Sequence, residues 1–145
     1  MRKQSEQVYA LMAEVAALHR ALHDVGEAVA AAARLTHARL SCLREVADEP
    51  RPVAAVAARQ QVARQGVQRT ADGLVADGFA TWVDNPRHRR AKMLTPTSAG
   101  RRALAAAAEA HAAWVARAGA RLPNDLADLT GRLRAVRNIV AEHDT

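Results

Sequence analysis

Apolar residues recur through the first thirty positions with the step of a helix. Val8, Leu11, Val15, Leu18, Leu22, Val25 and Val29 are spaced alternately three and four apart, a narrow stripe sustained over about three heptads. Ser5 sits where an N-cap would open that helix. Leu35-Thr36 interrupts the pattern, and Thr36 can cap a second, shorter helix carrying Leu40, Leu43 and Val46. Glu49-Pro50-Arg51-Pro52 reads as a loop, because two prolines within three residues cannot continue a helix. The last third repeats the first. Thr97 can cap a helix whose apolar face includes Leu104, Ala108, His111 and Val115. Pro123-Asn124 then breaks the chain, with Asn124 as the next cap, and Leu122, Leu126, Leu129, Leu133, Val136 and Val140 again step four and three apart.

The middle of the chain has a different rhythm. Val53 to Arg59 predicts a short helix with Val53, Val56 and Ala57 facing inward, and Gln60-Gln61-Val62 a turn. Ala63 to Asp77 predicts a second helix with Val67, Ala71, Leu74 and Val75 as its buried stripe. Gly78 ends it, in the position where a positive φ is usual. Two short strands follow, Phe79 to Val83 and Ala91 to Leu94, joined through a turn at Asp84-Asn85-Pro86 and a tip of Arg87, His88, Arg89 and Arg90. Phe79 and Trp82 are expected to anchor this hairpin to the core. The predicted fold is mainly α with a small β wing (α+β): a winged helix-turn-helix domain flanked by N- and C-terminal dimerisation helices. The boundaries are residues 1–34 for the N-terminal dimerisation helix, 35–100 for the winged domain and 101–145 for the C-terminal dimerisation helices. Within the winged domain, the second helix of the motif spans about 63–77 and the wing about 79–95.

Charge sharpens this picture. The chain carries 21 Lys and Arg against 15 Asp and Glu. Between Arg51 and Arg102 stand ten basic and three acidic residues, so the whole excess lies on the helix-turn-helix and hairpin while the flanks are near neutral. A localised basic patch is the electrostatic footprint of duplex DNA, whose condensed counterions are released when side-chain cations replace them. On the second helix, Arg64, Gln65, Gln68 and Arg69 lie on or beside the polar face, with Asp72 near them. Arginine donates twice to guanine and glutamine pairs twice with adenine, so this face carries what base edges require. Arg87, His88, Arg89, Arg90 and Lys92 are the expected wing contacts, and an arginine there can enter a narrow minor groove. Double-stranded DNA is therefore the expected partner.

The two terminal stripes imply a second one. A monomer of 145 residues has little core with which to cover both seams. Val8, Leu11, Val15, Leu18, Leu22, Leu126, Leu129, Leu133, Val136 and Val140 are accordingly expected to build a homodimer; packing within one chain is the alternative.

The central segment resembles the MarR family of winged-helix transcriptional regulators. The resemblance is carried by Val67, Arg69, Asp72 and Leu74 on the helix, Gly78 after it, Asn85, Pro86, Arg89, Arg90, Ala91 and Lys92 in the wing, and Thr97 and Gly100 at the next helix start. The flanking helices match in order, so the likeness covers nearly the whole chain. It implies an obligate dimer with interleaved terminal helices, a recognition helix in each major groove and a wing arginine in the adjacent minor groove. A pseudo-palindromic operator with half-sites about one helical turn apart follows. Arg69 becomes a recognition-helix contact and Arg90 the wing-tip residue. Three positions depart from the pattern. His88 stands where the family commonly has Asp, Gly73 where a long side chain is usual, and Pro96 where the strand is usually apolar, which is expected to shorten that strand. Gly66 and Gly73 also soften the recognition helix, since each costs about 1 kcal/mol relative to alanine.

Other signals are weaker. One branch of the family senses hydroperoxides through cysteine; Cys42, the single cysteine, reads either as a small buried hydrophobe or as such a sensor. His19 and His23, one turn apart with Asp24 and Glu27 behind them, have a spacing that can bind metal, but nothing nearby completes a site, so no metal and no cofactor is expected. The resemblance implies a small-molecule effector, and His19, His23, His111 and Trp114 are the candidate lining of its cleft. No apolar run approaches the roughly 20 residues that span a bilayer. The N-terminus lacks the apolar core of a secretory signal, and a single cysteine suits a reducing cytoplasm. No phosphate-binding glycine loop, HExxH or nucleophile elbow is present, and no enzymatic activity is expected. The reading is a cytoplasmic, homodimeric, sequence-specific regulator, a repressor released by a ligand. The alternatives are a winged dimer acting through protein contacts and a Cys42-based redox sensor.

Overall fold

A computed structural model of the chain describes residues 2–142. In order along the chain come α1 (Arg2–Ala32), α2 (His37–Glu45), β1 (Arg51–Pro52), α3 (Val53–Gln60) and α4 (Arg64–Ala76). They are followed by β2 (Ala80–Val83), β3 (Met93–Pro96), α5 (Ser98–Gly119) and α6 (Leu126–Ala141). These elements fall into two units that divide between His111 and Ala112.

The first unit holds the core. Leu40, Leu43 and Val46 of the α2 region, Val56 of α3, Leu74 of α4 and Leu94 of β3 are its largest fully buried side chains, each contributing about 1.5–3 kcal/mol of burial. The expected inward faces are present: Val53, Val56 and Ala57 on α3 and Val67, Ala71 and Leu74 on α4 are buried, with Val75 packed beside them. Phe79 and Trp82 pack half-buried against the same cluster. Thr36 caps α2, its hydroxyl accepting from the Arg39 N–H at 3.3 Å. Gly78 has φ +78°.

Three helices end in one way. After α1, α3 and α4 the chain turns back through paired hydrogen bonds (Leu35 N–H to Ala30 C=O, Val62 to Ala57, Phe79 to Leu74), with Arg34, Gln61 and Gly78 in the left-handed conformation. Only the last uses glycine; the breaks at Leu35-Thr36 and Gln60-Gln61-Val62 are legible in the sequence, but the left-handed conformation of Arg34 and Gln61 is not.

Five expectations are corrected. Ser5 does not cap α1, which already begins at Arg2. Glu49–Pro52 is not all loop: Arg51 and Pro52 form β1, pairing antiparallel with Leu94 and Met93, so the sheet has three strands in the order β1-β3-β2. The two prolines produce this strand, since Pro52 fixes its own φ near −72° and drives the preceding Arg51 into extended backbone. The second wing strand lies at Met93–Pro96 rather than 91–94, and Pro96 ends it instead of shortening it. There Pro96 faces only Ala80 of β2, beyond the reach of β1, so its missing donor breaks no ladder on that side. The buried face of α5 is Gly100, Ala103 and Ala107; Ala108 and His111 are exposed. Finally, α6 begins after Asp125, not Asn124, and Asp125 makes no side-chain cap.

The N-terminal stripe divides. Val29 enters the core and Val25 packs against it, whereas Val8, Leu11, Val15, Leu18 and Leu22 are 39–51% exposed. In the second unit, α6 buries nothing: Leu126, Leu129, Leu133 and Val140 are exposed and Val136 half-buried. Among the described residues no helix is long and apolar enough to cross a membrane.

Candidate nucleic-acid interface

The α4 helix presents its polar residues in two rows. Arg64, Gln68 and Asp72 follow one another at four-residue steps, and Gln65 and Arg69 form the adjoining row. Arg64, Gln65, Arg69 and Asp72 are exposed, and Gln68 is half-buried. Its amide donates to Asp72 Oδ1 at 3.0 Å, which orients the Gln68 carbonyl and amide as a unit. Opposite this row stands the wing. Its entry is set by Asn85, whose side chain accepts from the Arg87 N–H at 3.0 Å while its carbonyl accepts from His88 N–H at 3.2 Å. Arg87, His88, Arg89, Arg90 and Lys92 are all exposed, and none enters an ion pair among the described residues.

Helix and wing share one concavity of 320 Å³, whose lining includes Arg64, Gln68, Asp72, Trp82, Arg90 and Lys92. Three of those six are cations. Trp82, paired with Leu94 across the sheet, joins Pro52, Val53 and Ala54 in its apolar lining. Trp82 anchors the wing to the core as expected, and the strand register also places it between helix and wing.

Thr97 and Gly100 tie the wing to α5. The Thr97 hydroxyl donates to Gly78 C=O at 2.6 Å and accepts from Gly100 N–H at 3.2 Å, while the Thr97 N–H reaches Phe79 C=O at 3.1 Å. A Cβ at residue 100 would collide with the Phe79 carbonyl oxygen, so glycine is required there. The T-x-x-G pattern thus fastens the end of α4 to the start of α5.

A second cavity of 570 Å³ lies behind α4, lined in part by His37, Ser41, Cys42, Gln60, Val67 and Thr70. The His37 Nδ1 is buried and has no hydrogen-bond partner among the described residues; its ring packs on Gly26 and lies 5.7 Å from that of His23. His19, His23 and His111 are exposed and Trp114 is half-buried. No group of three or more His, Cys, Asp or Glu side chains that could hold a metal occurs among the described residues. Cys42 is 1% exposed, and burial, with the Glu45 carboxylate second, pushes its thiol up to about 11. At neutral pH it carries almost no thiolate, the form on which peroxide sensing depends.

Two polar rows on α4 beside a cationic wing, carried on a three-stranded sheet, define a winged helix-turn-helix. Comparison with known proteins makes this specific: residues 35–91 match the MarR family. An uncharacterized protein of Mycobacterium tuberculosis is 42% identical over 105 residues, covering 72% of this chain and 73% of the relative. The MarR family transcription regulator SP03579 superposes over 99% of this chain and 97% of its own with a TM-score of 0.86 at 18% identity. Staphylococcus aureus MarR, solved with salicylate and kanamycin, does so over 97% and 96% with a TM-score of 0.79 at 14% identity. The chain belongs to the MarR family and is a transcriptional regulator, a class that acts by binding rather than catalysis.

Proposed function

We propose that the protein is a homodimeric, sequence-specific repressor that acts in the cytoplasm and is released from its operator by a small molecule. The observation that carries the DNA-binding part is the shared concavity, where Arg64 and Gln68 of α4 stand opposite Arg90 and Lys92 of the wing. In this reading Arg64, Gln65, Gln68 and Arg69 contact base edges in the major groove, and Arg87, His88, Arg89, Arg90 and Lys92 follow the backbone into the minor groove. The homodimer is supported by the exposed leucines and valines of α1 and α6, which in a lone chain would leave apolar stripes against water. Two copies would set two reading helices against a pseudo-palindromic operator. The ligand is supported by the Staphylococcus aureus relative solved with salicylate and kanamycin, and by the 570 Å³ cavity directly behind α4. A ligand need differ by only a few kcal/mol in its affinity for two dimer shapes to shift the DNA-bound population.

In vitro selection from a random duplex library tests this. The wild type is expected to enrich a sequence with two-fold symmetry, and Arg90→Ala to weaken binding to it while the dimer stays intact. Enrichment of nothing, or an Arg90→Ala variant that binds as the wild type does, would count against the assignment.

A further inference from the structure

The α4 helix contains two choices that work against a helix taken alone. Gly73 stands in its interior, a standing cost relative to alanine. Asp77 stands at its C-cap, where the negative end of the helix dipole disfavours an acid, and the last turn holds no basic residue to offset it. Both choices are accounted for by one residue from another helix. Arg39 of α2 lays its guanidinium across Gly73: a Cβ there would stand 2.6 Å from Arg39 Nη2. Its Nη1 then reaches Asp77 Oδ2 at 2.5 Å. Arg39 thereby supplies the cation that the end of α4 lacks, through a slot that only glycine leaves open.

We propose that Arg39 is the positioning residue of the reading helix, fixing the roll of α4 against α2 through the Gly73 slot and the Asp77 carboxylate. The inference rests on α4 being the helix that enters the major groove. Its side chain and that of Asp77 are 30% and 50% exposed, so the ion pair adds little to overall stability. What the pair supplies is direction. The α2 helix is itself bound to α3 by Arg59 to Glu45 at 2.6 Å and by Gln60 to Ser41 at 2.9 Å. A link at the far end of α4 therefore holds the second helix of the motif against a body made of the other two. A roll of about 10° carries a side-chain tip on α4 by about 1 Å, enough to spoil a bidentate hydrogen bond to a base. Contacts to phosphates, made by long flexible cations, tolerate such a shift far better.

Gly73→Ala separates this role from a merely structural one. The added methyl meets the movable end of Arg39 rather than backbone, so it displaces the guanidinium while improving helix propensity. The experiment measures affinity for a duplex selected by the wild type and for its scrambled counterpart, with Gly73→Ala, Arg39→Ala and the double variant, alongside thermal melts. Each single variant is expected to bind the selected duplex at least about threefold more weakly with the scrambled duplex unchanged, and the double variant no worse than either. Gly73→Ala should melt no lower than the wild type. Unchanged affinity for the selected duplex, equal weakening on both duplexes, or additive losses in the double variant would overturn the proposal. A wild type that selects no sequence overturns the DNA-reading assignment itself, and this proposal with it.

Discussion

The guanidinium of Arg39 occupies the space that a side chain at Gly73 would need, its Nη2 standing 2.6 Å from where a Cβ would be built. Gly66, two turns earlier on the same helix, has nothing within 4 Å of that position. The two glycines should therefore answer differently to alanine. Gly66→Ala is expected to stabilise the fold by about 0.5–1 kcal/mol with DNA selectivity kept. Gly73→Ala should stabilise less, because it dislodges Arg39, and should lose selectivity. Urea denaturation of the two variants side by side checks the ordering; equal gains would show that Arg39 is not seated against residue 73.

A similar contrast is built into α5. Gly100→Ala drives a methyl into the Phe79 carbonyl, which is backbone and cannot swing away, and should cost about 2–4 kcal/mol. Gly119→Ala meets nothing within 4 Å and should be neutral or mildly stabilising. Chemical denaturation midpoints decide this, and a Gly100→Ala protein as stable as the wild type would mean that α5 does not start against Phe79.

Cys42 supplies a pH dependence. Burial raises its folded-state pKa from 9.0 to about 11, so the unfolded chain releases the thiol proton first as pH rises. Stability is then fully present below about pH 9 and falls between pH 9 and 11, by roughly 1–3 kcal/mol. A Cys42→Val variant should lack that part of the decline. Native protein at pH 8 should also react with a thiol reagent far more slowly than unfolded protein; rapid labelling would contradict the buried thiol.

The exposed stripe of α1 makes a further prediction. Leu18 is 48% exposed and stands between Val15 and Leu22 in the stripe. If that stripe is the homodimer seam, Leu18→Glu should weaken self-association by roughly thirtyfold or more, a cost of about 2 kcal/mol. Sedimentation velocity reads this directly, and a wild type that remains monomeric at tens of micromolar would remove the seam.

How much of this was legible in the sequence depends on how local each signal is. Val67, Ala71 and Leu74 mark the inward face of α4, because polar residues separate them at helical spacing, and on α3 the larger Val53 and Val56 stand out among alanines. On α5 that contrast vanishes: Ala103, Ala107 and Ala108 are chemically identical, so nothing in the pattern says that the first two are buried and the third exposed. The strand at Arg51–Pro52 exists only through Met93 and Leu94, some forty residues on. Arg34 and Gln61 end helices in a conformation that glycine usually marks. Of the interface, the cationic wing and the polar rows of α4 were readable from residue type. Arg39 was not, because its partners Gly73 and Asp77 lie on another helix, and a glycine shows no trace of the side chain that fills its space.

The most direct test of the account is a fluorescence-anisotropy titration against the DNA upstream of the protein's own gene, beside a scrambled duplex, at two salt concentrations. Tight binding that prefers the native duplex and weakens steeply with salt is expected, with Arg90→Ala lowering the logarithmic salt slope by about one. Absence of binding to either duplex at low salt would contradict the account.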